Sequence, residues 1–325
     1  MNRRDTVFGL LALGAAPYAS LAQQSPRKAP RIGLLISETP AGQASRIEAL
    51  RAGLRDLGYV EGGSIAIELR SADGNYGRLP ALAAELVRLK VDVIVAFGIK
   101  ATLAAKGATT TIPIVFPLTG DPVATGLVSS LARPGGNLTG SAIFSPEVAA
   151  KRLELLKEAI PRISRVAVLV NPSSPFGNTL QTMRAAAKAL KLELQVFEVR
   201  TSAEFGGVFS KFPKERIDAV MVTQDTLFLS NATQLAKLAA AKRLPAAGYT
   251  EFADAGGLIG YGTNDAEMHR RAAYFIDRIL KGASPGDLPV ERATKFELAI
   301  NLKTARLLGL KIPQSVLLRA TRVIE

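Results

Sequence analysis

Hydroxyl, amide and carboxylate side chains collect in a few short stretches of this 325-residue sequence, each directly after an apolar run. In the first half they are Ser37-Glu38-Thr39, Phe97-Gly98-Ile99 and Pro117-Leu118-Thr119-Gly120-Asp121. In the second half they are Asn171-Pro172-Ser173-Ser174-Pro175-Phe176, Thr223-Gln224-Asp225-Thr226 and Tyr249-Thr250. Hydroxyls and helix-start N–H groups suit a carboxylate, an Asp suits an ammonium, and Phe or Tyr suits an apolar body. The same residue types also cap helices and make turns, which is the structural alternative for each one taken singly.

Residues that would do covalent or metal chemistry are missing. There is no G-x-x-x-x-G-K-[ST] to cradle a phosphate and no G-x-S-x-G nucleophile elbow. Gly256-Gly257-Leu258-Ile259-Gly260 lies within a strand pattern instead of opening a helix, unlike a dinucleotide fingerprint. The one histidine, His269, cannot form a metal cluster alone and is expected on a helix surface. With no Cys there is neither a disulfide nor a thiolate. The reading is therefore a non-enzymatic binding protein with no metal and no cofactor.

The elements that position these stretches alternate strand and helix. Arg31–Ile36 reads as a buried strand, and Gln43–Leu57 as a helix with Ile47, Leu50, Leu54 and Leu57 on one face, closed by Gly58. A strand at 64–69, a helix at 79–89 and strands at 91–97, 112–116 and 138–143 follow. The order then restarts, with strands at 165–170, 192–199, 217–222, 244–248 and 256–261 around a helix at 179–190 and another that Ser230 can cap. "RIGLLIS" answers "RVAVLVN", "VDVIVAFG" answers "IDAVMVTQ", and "IPIVFPLTGD" answers "LPAAGYTEFAD", about 126 to 134 residues apart. The fold class is α/β: two doubly wound, Rossmann-like lobes with parallel sheets. A helix at 265–281 capped by Asn264, a strand at 288–292 and a helix at 301–308 form a tail after both lobes. Such a tail implies that the chain crosses between the lobes more than once, which makes a hinge.

Residues 1–22 read as a signal peptide, with Arg3 and Arg4 before the apolar run Val7–Ala16 and small residues at Ser20 and Ala22. A polar linker at 23–30 follows. Export to the periplasm by the Sec or Tat route is expected, and the apolar run is too short to remain as a membrane span. The net charge of +13 falls to +12 without that segment. Because Lys and Arg are spread singly, without interleaved aromatics, they read as a solvated surface and not as a nucleic-acid site.

Several stretches, in order, carry a family resemblance: "LRDLGYVEG", "RLPALAAELVRLKVDVIVAFG", "TTTIPIVFPLTGDPVATGLVSSLARPGGNLTG", "KRLELLKEAIPRISRVAVLVNP", "DTLFLS", "FADAGGLIGYG" and "TKFELAINLKTARLLGL". On these the chain resembles the substrate-binding proteins of ABC importers with the type I periplasmic-binding-protein fold, in the subgroup that includes tryptophan- and tyrosine-binding members. The resemblance implies three hinge crossovers, a first lobe of 31–141 plus 263–286, and a second of 142–262 plus 287–325. It implies ligand contacts at Ser37, Gly98, Thr119, Asp121, Ser173, Phe176, Gln224, Asp225 and Tyr249. The implied function is capture of an amino acid or small aromatic carboxylate for an ABC permease and its ATPase at the inner membrane, by a monomer. A periplasmic ligand-sensing module for a membrane receptor is the alternative; a DNA-binding repressor would need a helix-turn-helix where the export signal lies.

Overall fold

The computed structural model describes residues 29–143, 146–173, 177–292 and 295–325. The expected signal peptide, most of the linker and Phe176 lie outside the described residues. The chain forms β1 (Arg31–Ile36), α1 (Ala44–Asp56), β2 (Ala66–Ser71), α2 (Leu79–Arg88), β3 (Val93–Phe97), α3 (Ile99–Ala108), β4 (Ile114–Thr119) and β5 (Leu138–Ile143). It then repeats the plan with α4 (Pro146–Ala159), β6 (Arg165–Val170), α5 (Gly177–Ala189), β7 (Glu193–Glu198), α6 (Phe205–Lys211), β8 (Ala219–Val222), α7 (Thr226–Ser230), α8 (Ala232–Ala241), β9 (Ala246–Gly248) and β10 (Ile259–Gly262). The tail supplies α9 (Asp265–Leu280), β11 (Glu291–Arg292), β12 (Glu297–Asn301), α10 (Leu302–Leu307), α11 (Gln314–Leu317) and β13 (Arg322–Ile324).

Two sheets result, ordered β11-β5-β4-β3-β1-β2 and β13-β12-β10-β9-β8-β6-β7. Each central strand is buried on both faces because alternate side chains enter different cores. Ile32, Leu34 and Ile36 of β1 pack with α1 and α9, while Leu35 packs with α2 and α3. The second sheet repeats this, with Val166, Val168 and Val170 on one face and Ala167 and Leu169 on the other. Gly58 ends α1 at φ +85°, the left-handed position where a helix stop favours glycine.

Three expectations are corrected. The strand expected at 288–292, in the second lobe, is only Glu291–Arg292, and it pairs with β5 of the first sheet. The chain therefore crosses to the second sheet after 292, not after 286. The second sheet is not wholly parallel, since β12 runs antiparallel to β10. Ser230 caps no helix. It is the last residue of α7, which Asp225 caps by accepting from Leu227 N at 3.0 Å.

Candidate functional site

The strand-end loops of the two sheets face each other across a cleft and touch. Gly98, with φ +90°, follows β3; a Cβ there would lie 2.6 Å from Thr226 Oγ1 at the start of α7. Only a residue without a side chain lets the two lobes approach so closely. Gln43 Nε2 donates to Ser230 Oγ at 3.2 Å, again from one lobe to the other. The lobes are thus closed upon each other.

The expected contact residues divide in their roles. Ser37 is buried, and its carbonyl accepts from Gly74 N at 2.9 Å. Thr119 ends β4. Asp121 Oδ1 accepts from Val123 N at 2.8 Å and Ala124 N at 3.0 Å, so it organises its own turn. Ser173 N donates to Asn171 Oδ1 at 3.0 Å, and Asn171 Nδ2 donates to Asp225 Oδ1 at 3.0 Å. Asp225 and Asn171 thus tie the loops after β6 and β8 together. Gln224, beside them, accepts through Oε1 from Arg152 Nη2 at 2.8 Å. Tyr249 is 1% exposed, packs with Phe252, and its hydroxyl donates to the Phe228 carbonyl at 2.8 Å. It packs within the second lobe's core, close to the charged groups Arg46 and Asp265 of the first lobe.

Charged residues that read as solvated helix faces form a buried network behind the cleft. Arg46 of α1 forms a buried ion pair with Asp265 at the start of α9, and its Nη1 donates to Gln43 Oε1 at 2.7 Å. Asp265 N donates to Glu251 Oε1 at 2.7 Å, joining the first lobe's last helix to the second lobe. Burial, reinforced by the Asp265 charge, pushes the Glu251 carboxyl up to about 7. Arg46 holds the Asp265 carboxyl low against the effect of burial. His269 is corrected: it is 3% exposed, with its ring edge-on to Phe97 at 4.4 Å, because α9 packs between α1 and the first sheet. Its Nδ1 lies 2.7 Å from the Asp265 carbonyl, and burial lowers its pKa to about 4, so it is neutral at pH 7.

In the first lobe, Glu38 accepts from the Tyr76 hydroxyl at 2.8 Å, and burial raises both pKa values. Among the described residues, four buried polar atoms have no hydrogen-bond partner: Ser141 Oγ, Gln224 Nε2, Glu251 Oε2 and Thr263 Oγ1. Ser141 and Thr263 lie at or beside two of the crossovers. Also among the described residues, no cluster of three or more Asp, Glu or His could hold a metal, and no helix is long and apolar enough to cross a membrane.

Two doubly wound lobes, closed over a cleft lined by their strand-end loops, define a solute-binding protein of the type I periplasmic fold. The chain belongs to the family of ABC transporter substrate binding proteins, whose model matches residues 35–324. It is 30% identical over 261 residues to a tyrosine-binding protein of Clostridioides difficile (strain R20291), covering 79% of this chain and 74% of that one. It resembles a Streptococcus pneumonia ABC domain solved with L-Trp, at TM-score 0.82 and 26% identity, over 91% of this chain and 99% of that one. A ligand-free, open substrate-binding protein with adhesive properties from Clostridium difficile gives TM-score 0.63 at 25% identity, with the same coverage.

The protein is accordingly a substrate-binding component of an ABC transporter, working outside the cytoplasm with a small molecule and a transporter as its partners.

Proposed function

We propose that this protein captures an amino acid or small aromatic carboxylate between its lobes and delivers it to an ABC importer. The observation that carries the reading is the direct meeting of strand-end loops at Gly98 and Thr226, which encloses polar groups from both sheets. The tyrosine- and L-Trp-binding relatives support the ligand class. In this reading residues 1–22 direct export and are removed, and the mature chain acts as a monomer. The first lobe is 31–143 with 265–292, and the second is 146–262 with 295–325, divided where the strands change sheets.

A ligand that binds the folded state alone stabilises it by about 2.7 kcal/mol at a hundredfold excess over Kd. A thermal-shift panel of the common amino acids and simple aromatic acids should therefore contain compounds that raise Tm clearly. A panel without any shift would refute the ligand class.

A further inference from the structure

Arg152 lies on the buried face of α4, 3% exposed, in the second lobe. Its Nε donates to the Tyr261 carbonyl at 2.6 Å and its Nη2 to Gln224 Oε1 at 2.8 Å. Gly262 makes room for it, since a Cβ there would sit 2.9 Å from Nη2. A guanidinium can only donate, so this bond fixes the Gln224 amide with its oxygen toward Arg152 and its NH2 group away. That NH2 group is buried and unpartnered, although Gln224 stands at the carboxyl end of β8, next to Asp225, where ligands of open α/β sheets bind.

Arg152 makes no direct ion pair among the described residues, although the Glu251 charge acts on it from a distance. Among the described residues its bonds go to a carbonyl and an amide, not to a carboxylate. Burial lowers its pKa only to about 10, so it stays cationic at neutral pH. Neither nearby carboxylate bonds it directly: Asp265 pairs with Arg46, and Glu251, which accepts from Asp265 N through Oε1, is held up at about 7 and so is only partly ionised at neutral pH. The buried Gln224 NH2 group lacks an acceptor, and the buried guanidinium that orients it favours an anionic one.

We propose that Gln224 and Arg152 form the carboxylate-recognising end of the cleft. Gln224 Nε2 donates to a ligand carboxylate oxygen. Arg152 is a positioning residue behind it, holding the amide in register and supplying the compensating charge. This rests on the ligand-capture reading above and deepens it by assigning the groups that read the ligand's carboxylate, so that an amine with the same aromatic body is rejected.

The test is calorimetric titration of the protein with L-tyrosine, L-tryptophan, tyramine and tryptamine, repeated on Gln224→Glu and Arg152→Met. Gln224→Glu keeps an oxygen for Arg152 to bond, so the fold is retained, but it replaces the donor by a second acceptor. The acids should bind the wild type at least about tenfold more tightly than the amines. Gln224→Glu should remove that preference. Arg152→Met should bring the acid-to-amine ratio toward one, whereas a purely structural role would weaken both alike. Tyramine binding the wild type as tightly as L-tyrosine, or Gln224→Glu leaving L-tyrosine affinity unchanged, overturns the inference alone. A wild type that binds none of the four excludes aromatic amino acids as its ligands and overturns the inference drawn for them, while the thermal-shift panel separately decides the broader ligand class.

Discussion

Glu251→Gln should stabilise this protein, and only above acidic pH. Glu251 sits in the short turn Thr250–Phe252, accepts from Asp265 N through Oε1, and buries Oε2 without a partner beside the Asp265 charge. Its pKa is raised from 4.5 to about 7, first by burial and then by Asp265. A folded-state pKa above the unfolded one means that folding takes up a proton. The associated stability is whole below about pH 4.5 and is lost as pH rises through 7. At about 1.4 kcal/mol per tenfold change, the loss is about 3 kcal/mol by pH 8. Glutamine keeps the acceptor for Asp265 N, cannot ionise, and offers an N–H where Oε2 was stranded. Urea unfolding of both proteins at pH 4.5 and pH 8, with linear extrapolation, measures the difference. The two should be nearly equal at the lower pH, and the variant should lead by up to about 3 kcal/mol at the higher. A variant less stable at pH 8, or an advantage independent of pH, would refute the reasoning.

Asp265→Asn leaves Arg46 buried with only Gln43 as a side-chain partner, and breaking such a pair costs about 3–5 kcal/mol. Because Glu251 then ionises more easily and can balance Arg46, urea unfolding should show a smaller cost at pH 8 than at pH 5; the opposite order contradicts the network. Gly98→Ala places a methyl group 2.6 Å from Thr226 Oγ1 at φ +90°, so the lobes must part or the loop must strain. Small-angle scattering should show a larger radius of gyration for the variant and calorimetry a weaker ligand; unchanged affinity would show that closure does not need the contact.

Much of this architecture was readable from the sequence because fully apolar runs such as Val93–Phe97 allow little besides a buried parallel strand. The helix over 44–56 was legible from its one-sided leucines and from Gly58. Glu291–Arg292 was misplaced because its partners in β5, Ser141 and Ala142, lie far back in the chain, and nothing local reports such a pairing. His269 looked like a surface residue between Met268 and Arg270, but α9 is covered by α1 on one side and the sheet on the other. The site was legible at the level of loops, since an open α/β sheet puts its crevice at the strand ends. Which atoms remain free there was not. Asp121 and Asp225 spend oxygens on turn and cap, and Tyr249 spends its hydroxyl on Phe228. Arg46 and Arg152 occupy helix positions that normally carry solvated charge, and tertiary partners distant in the chain, Asp265 for Arg46 and Tyr261 and Gln224 for Arg152, receive them in buried sites. Gln224 was the expected residue whose free donor the structure made visible.

The most direct measurement is a crystal structure of the protein purified with its natural ligand or saturated with L-tyrosine. The account predicts one small molecule enclosed between the loops after β1, β3 and β4 and those after β6 and β8, with an oxygen acceptor on Gln224 Nε2. A ligand bound outside that cleft, or lobes that remain apart with ligand in place, would contradict it.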